Sequence, residues 1–382
     1  MRQRSHRGLR VAALTSAAVI GLSLVGAGPA AAGDQYGSGS GSPPDPTTIA
    51  SGLDNPRQLS FTPSGDLLVA EAGEGGTSNC QTGPEGGTVC FGASGAVTKI
   101  NSRGQQSRII TGLPSIADKD SGGGASGPSD VHAVGRHFSV LVGLGGNPDT
   151  RATLPSPGEK MGTLIQTTRD YSTFRTIADL AAFEAKTNPI HDVDSNPVGL
   201  LYDCGNYVVA DAGGNTVVKV NPGGRMRTLT VLPDLTANVP GAPPGTTMPA
   251  QAVPTSVATV GYDGAYYISQ LTGFPFQKGL ANIYRLDKSG KRTVDASGLT
   301  NVTDLAFKGK TLYAVQISTT GLLTGPIVSV VKVKPGGTAP GDHTPVAAGL
   351  FAPYGIAIKG SSAYVTIGAV AANTGEVIKI RL

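Results

Sequence analysis

Tryptophan is absent from this chain, so sugar recognition by indole stacking is excluded and would fall to its 11 tyrosines and 9 phenylalanines. Complete catalytic signatures are absent as well: there is no GxSxG elbow, no HExxH pair and no P-loop. The glycine runs at Gly122-Gly123-Gly124 and Gly213-Gly214 stand between strand-like segments and precede no helical pattern, which makes them poor phosphate cradles. Net charge is also missing. The 30 Lys and Arg exceed the 26 Asp and Glu by the four arginines Arg2, Arg4, Arg7 and Arg10, all at the N-terminus. A neutral body has no field to gather nucleic acid or an anionic membrane, and both are set aside as partners.

The one long apolar run, 11–25, follows those arginines and precedes PAAA at 29–32. It is too short and wrongly flanked for a membrane anchor and reads as the core of a secretory signal peptide over 1–32. Export places the cysteines in an oxidising compartment. Cys80 and Cys90 sit in SNCQTGPEGGTVC, and a disulfide is the natural reading; a metal-binding pair would need ligands that this loop lacks. The loop-entropy relation gives such a closure about 2.5–3 kcal/mol. Cys204 is left over at a turn where Ser64 stands in an earlier copy of the same pattern, and reads as an unpaired structural thiol.

What the chain does have is repetition. NPVGLLYDCGNYVVADAGGNTVVKVN at 196–221 is an apolar run, a tight turn, a second run, a glycine break and a third run. Short runs rich in Val and Tyr, punctuated by Gly and Asn, are antiparallel strands. Related patterns begin at Asn55, Gly127, Val253, Asn301 and Ala352, making six copies. A further strand stands before several of them, as at 107–111, 293–297 and 345–348, each followed by Gly-Leu or Gly-Leu-like turns. Four strands per copy, repeated radially, are the blades of a β-propeller. The sixth copy runs out after its third strand, while TTIAS at 47–51 is an orphan strand that would complete it and close the ring. The expected organisation is all-β: signal peptide 1–32, a disordered Gly/Ser/Pro linker 33–46, and a six-bladed propeller over 47–382, taken as a monomer. Strands apolar on both faces, such as Val217-Val218, favour blades over the cleaner alternation of a β-sandwich. Between the copies, residues 118–127 read as flexible, 147–160 and 238–251 as Pro-rich loops, and 179–186 as a short helix capped by Asp179.

DVDSNPVGL with VVADAGGN, VPTSVATVGYDGAYYISQLTGFPF and SGLTNVTDLAF resemble the ScyD/ScyE family of secreted proteins, related to NHL-type propellers. The resemblance spans roughly 47–382. It implies a six-bladed propeller, an exported protein and no established activity. Gln270 and Gln316 stand where the family pattern implies acids at the ends of second strands.

In a propeller the first strand of each blade descends the channel and the second returns, so the start of one and the end of the other share a face. The starts are Gln58, Asp130, Gly199, Ser256, Asp304 and Gly355; the ends are Glu71, Gly143, Asp211, Gln270, Gln316 and Ile367. Two readings compete for the polar members. In one they cap strand ends and satisfy backbone groups. In the other, Gln58, Glu71, Asp130, His132, Asp194, Asn196, Asp211, Gln270, Asp304 and Gln316 form a ligand site at the channel mouth for a small molecule or an extracellular protein. Glu71, Asp130, Asp211 and Asp304 are then the candidate metal ligands, with Ca²⁺ as the candidate cofactor. Two functions follow: a secreted binding or scaffold protein without catalysis, or a Ca²⁺-dependent lactonase-like hydrolase. A quinone-dependent sugar dehydrogenase with His132 as base is a third reading. The fold alone does not choose among them.

Overall fold

The computed structural model describes residues 46–83, 86–168, 173–261, 263–324 and 328–382. The leader expected at 1–32, and all but the last residue of the linker expected at 33–46, lie outside them. The described chain is all-β. Six antiparallel sheets of four or five strands follow one another along it, and the second to fifth pair their strands in chain order. Their first strands are Pro56–Phe61, Pro128–Val134, Pro197–Asp203, Pro254–Ala258, Val302–Lys308 and Ile356–Lys359. Their second strands are Leu67–Glu71, His137–Val142, Asn206–Asp211, Tyr266–Gln270, Thr311–Gln316 and Ser362–Ile367. We number the sheets one to six in this order.

The sheets pack face to face, and their first strands lie innermost, each touching the first strand of the next sheet. That is the arrangement of a β-propeller. Apolar layers fill the gaps between sheets. Val140, Ile165 and Val131 of sheet two pack on Leu68, Ala70 and Val97 of sheet one, for example, all but removed from water. Strands buried on both faces account for the apolar doublets of the sequence.

The hairpin turns follow their residues. Between the first two strands of sheet three, Cys204 (φ 48°) and Gly205 (φ 78°) both take left-handed conformations, as a tight hairpin turn demands. Cys204 is exposed and free there. Cys80 and Cys90 form the expected disulfide, linking Ser78–Thr82 to Thr88–Ile100. Sheet one departs from the simple repeat, because Thr88–Ile100 and Gln106–Asp118 form a long hairpin onto which Ser78–Thr82 adds a fifth strand.

The insertions differ from expectation in two places. Residues 118–127 are not a loose loop. Gly122 O accepts from Asn55 Nδ2, and Gly124 N donates to Val370 O. The glycines are there for close approach: a Cβ on Gly123 would stand 2.7 Å from Val370 O. The 238–251 stretch is partly a hairpin, Leu235–Asn238 with Thr247–Ala250, rather than loop throughout. The short helix runs Leu180–Thr187, with the Asp179 carboxylate accepting from Ala182 N.

Sheet six takes its outer strand from the other end of the chain. Thr47–Leu53 pairs antiparallel with Gly375–Arg381, with Thr47 opposite Lys379 and Ala50 opposite Val377. Ala50 and Leu53 are buried by this pairing. A chain beginning at Pro46 is expected to melt like one beginning at Gly33. One beginning at Gly52 should melt about 5 °C lower or more and self-associate, since it bares the edge of Gly375–Arg381. Scanning calorimetry and light scattering on the two truncations check this; equal melting would sink it.

Candidate functional site

One hydrogen bond recurs where the two inner strands of each sheet meet. In five sheets the residue after the second strand donates its N–H to the carbonyl of the residue before the first: Ala72 to Asn55, Gly143 to Gly127, Ala212 to Asn196, Leu271 to Val253 and Ile317 to Asn301; in sheet six the counterpart, Ala369 to Ala352, lies a little beyond the strand ends. Four of the acceptor residues, Asn55, Val253, Asn301 and Ala352, have positive φ, the conformation that turns the chain sharply into the first strand. Immediately after it, in five sheets, the pairing skips a residue: between Pro56 and Leu59, Pro128 and Asp130, Pro197 and Gly199, Pro254 and Val257, and Val302 and Asp304. A bulge of this kind re-aims the side chains beside it.

The consequence is a cavity of ≈ 60 Å³ at the channel mouth, lined by a different set from the one the sequence pattern suggests. The innermost residues reaching it are Arg57, Ser129, Val198, Thr255, Thr303 and Tyr354, each one position before the expected start. From just after the second strands come Gly143, Ala212, Leu271 and Ile317; of these only Gly143 was among the expected ends. Of the ten polar candidates, Asn196 alone lines the cavity.

The other candidates are engaged elsewhere. Asp130 and Asp304 hold neighbouring sheets together. Asp130 Oδ2 accepts from Leu200 N at 2.8 Å and Oδ1 from its own neighbour Val131 N; Asp304 Oδ2 accepts from Ile356 N at 2.8 Å and Oδ1 from Leu305 N and Ser256 Oγ. Gln58 extends from sheet one to the carbonyls of Thr255 and Thr303 in sheets four and five, crossing the channel. Glu71, Asp211 and Gln316 tie the end of the second strand to the entry turn, accepting from Asp54 N, Asn196 N and Thr300 N at 2.7–2.8 Å. Glu71 also pairs with Arg108 at 2.7 Å. Gln270 accepts from Asn282 N. His132 stands further along the channel, its Nε2 3.8 Å from Asp130 Oδ1. The capping reading describes these positions; the structure does not gather them into one ligand shell.

Burial sets the protonation of this polar belt. Desolvation, reinforced by the charge of Asp304, pushes Asp130 well above the usual carboxylate range, and desolvation lifts Asp304 to about 7. Desolvation lowers His132 to about 4, so it is a neutral ring at pH 7. Beside the channel, Glu184 is 2 % exposed and is raised to about 8 by burial and by Asp211, Asp194 and Asp192. It stacks against the glycine break of sheet three: a Cβ on Gly214 would meet Glu184 Oε2 at 2.7 Å. Asp194 thus belongs with Glu184 rather than with the cavity. Among the described residues no three His, Cys, Asp or Glu side chains are grouped so as to hold a metal. The four carboxylates expected as Ca²⁺ ligands each accept from backbone N–H groups and are not grouped as a ligand set for the ion.

Arg57 and Tyr354 are the cavity-lining residues that the sequence reading passed over. Their signal was present: aligned with Ser129, Val198, Thr255 and Thr303, they are the only large polar members of the register. The Arg57 guanidinium donates to Ala369 O and Ala125 O and lies over the Tyr354 ring, 4.9 Å from its centroid.

No protein-family model matches this chain, and no curated protein does. Solved structures similar to it include a putative gluconolactonase (11 % identity, 88 % of this chain and 92 % of that one, TM-score 0.49). Others are the PQQ-bound aldose sugar dehydrogenase of Streptomyces coelicolor (11 %, 89 % and 99 %, 0.48) and virginiamycin B lyase of Staphylococcus aureus (12 %, 88 % and 99 %, 0.45). At this identity, and with scores below 0.5, no chemistry passes from them to this chain.

The raised acids give stability a defined pH dependence. An acid whose folded pKa exceeds its unfolded value binds more protons when folded, so its stabilisation is full at low pH and is lost as pH rises through the folded pKa. Asp304 loses it up to about 7 and Glu184 up to about 8. His132, lowered to about 4, works the other way, but its contribution is complete above its unfolded pKa of about 6.5. Between pH 6.5 and 8 the acids alone remain, and the melting temperature should fall. Glu184→Gln should flatten that fall, measured by thermal melts across the window; an unchanged slope would contradict the assignment.

Proposed function

We propose that this chain is an exported, six-bladed β-propeller that binds a small molecule in the cavity at its channel mouth and performs no chemistry there. Closure of the ring is supported by two contacts. The first strands of sheets six and one touch, and Gly355 is the residue that lets them, since a Cβ on it would stand 2.7 Å from Arg57 O. The pairing of Thr47–Leu53 with Gly375–Arg381 supports the same reading from the outer edge. Export is supported by the leader pattern and by the disulfide. No helix among the described residues is long and apolar enough to cross a membrane. Membership of the ScyD/ScyE family is proposed on the DSNP and LTGFPF segments.

The observation that carries the binding reading is the division of labour between the two registers. The acids capable of proton transfer are buried as bridges between backbones, while the residues that open onto the cavity are small or apolar apart from Arg57, Tyr354 and Asn196. A concave, largely apolar pocket with a few polar groups is what a small-molecule site requires. Cation-assisted hydrolysis, the second reading, needs converging ligands, and among the described residues no three His, Cys, Asp or Glu side chains are grouped to hold a metal.

A thermal-shift screen of small organic molecules on the mature protein is expected to give ligands that raise the melting temperature. Val198→Phe, which fills the cavity, should abolish those shifts while costing about 1–3 kcal/mol of stability from overpacking. The same protein should turn over no lactone or phosphotriester. Ligands indifferent to Val198→Phe, or turnover lost on Asp304→Asn, would overturn the proposal.

A further inference from the structure

The cavity is lined by one charged side chain, and no carboxylate among the described residues forms a salt bridge with it. Arg57 is 9 % exposed and reaches the cavity. A buried cation is normally paired with a carboxylate, because desolvation without a counter-charge is costly. The partners of Arg57 are instead two neutral carbonyls, Ala369 O and Ala125 O, and the face of a tyrosine. Where cations among the described residues do pair with carboxylates, the cation itself is more exposed; Arg108 with Glu71 and Arg151 with Asp179 are examples, with arginine side chains 39 % and 17 % exposed. The two acids nearest this level of the channel, Asp130 and Asp304, act on the Tyr354 hydroxyl, yet both point their oxygens at backbone N–H groups of the adjoining sheets.

The carbonyls do more than leave the charge unbalanced. Coming from the 125 and 369 turns, they fix the guanidinium at two of its five N–H groups, so the planar fork is held in one orientation before any ligand arrives. The Tyr354 ring covers one side of it, 4.9 Å from Cζ to the ring centroid. A preorganised fork of this kind matches a carboxylate bidentately. The remaining wall is Val198, Leu271, Ile317 and Val370, which suits an apolar body. The hydroxyls of Ser129 and Thr303 donate to Pro197 O and Tyr354 O, leaving few free donors for a doubly charged oxyanion such as phosphate.

On this geometry, and resting on the binding reading above, we infer that the ligand is a small monocarboxylate with a short apolar body, its carboxylate held by Arg57 and its carbon chain by the apolar wall. The ligand supplies the missing counter-charge.

Sodium butanoate, butanamide and inorganic phosphate, titrated separately into the mature protein at pH 7 and followed by two-dimensional NMR, separate the possibilities. Butanoate should bind at least tenfold more tightly than butanamide, and phosphate should not displace it. In Arg57→Gln the tenfold preference should vanish, and in Arg57→Lys part of it should remain. Arg57 also ties two turns, so a variant that fails to fold leaves the decision to the acid–amide comparison in the unaltered protein. Equal binding of acid and amide, both lost in Val198→Phe, would overturn the carboxylate inference and keep the cavity. Preference for phosphate would overturn it likewise. Absence of binding by all three probes, together with a screen in which no ligand responds to Val198→Phe, would overturn the binding reading as well.

Discussion

The hydrogen bond from the end of each second strand back to the entry of the first sets the geometry of the inner face. It fixes where the chain turns, and a left-handed residue at four of those turns is a conformation that only such a fixed end would hold in place. Val253 and Ala352 show the constraint most clearly, being left-handed without the side-chain hydrogen bonding that makes asparagine tolerant of it. With both ends of the hairpin pinned, the extra residue has to be accommodated just inside, as the bulge at the start of the first strand.

That bulge separates two polar layers by a single residue. Residues one step inside it turn toward the adjoining sheet, where Asp130 and Asp304 each take backbone N–H groups that would otherwise be unpaired. The price is a carboxyl taken out of water, and the raised pKa of both acids expresses it. Glycine solves the same contact differently: Gly199 and Gly355 let neighbouring backbones meet directly, and a Cβ on Gly199 would stand 2.5 Å from Thr255 O. Carboxyl bridge and bare glycine are thus alternatives at one position, which makes the acids at this level members of the framework.

Residues on the other side of the bulge face the cavity, and there the repeat is free to vary. Ser129, Val198, Thr255 and Thr303 keep it small or apolar, while Arg57 and Tyr354 break the pattern together, stacked on one another.

Much of this protein was legible in its residues. Strand runs, tight turns and the repeat announced the succession of antiparallel sheets, because short apolar runs and glycine placement act locally and need no partner to be read. Asp179 as a helix cap and Cys80 with Cys90 as a disulfide were readable for the same reason. The capping role of Glu71, Asp211 and Gln316 could be foreseen as one of two readings, since carboxylate and amide oxygens accept from nearby backbone N–H groups as a matter of course. What the sequence could not supply was the one-residue bulge. In a strand every side chain changes face with each step, so a single skipped pairing exchanges the residues that face the cavity with those that face the next sheet. Pairing register is decided between chains of atoms far apart in sequence, and it was the tertiary structure alone that put Asp130 and Asp304 into the framework and Arg57 into the cavity.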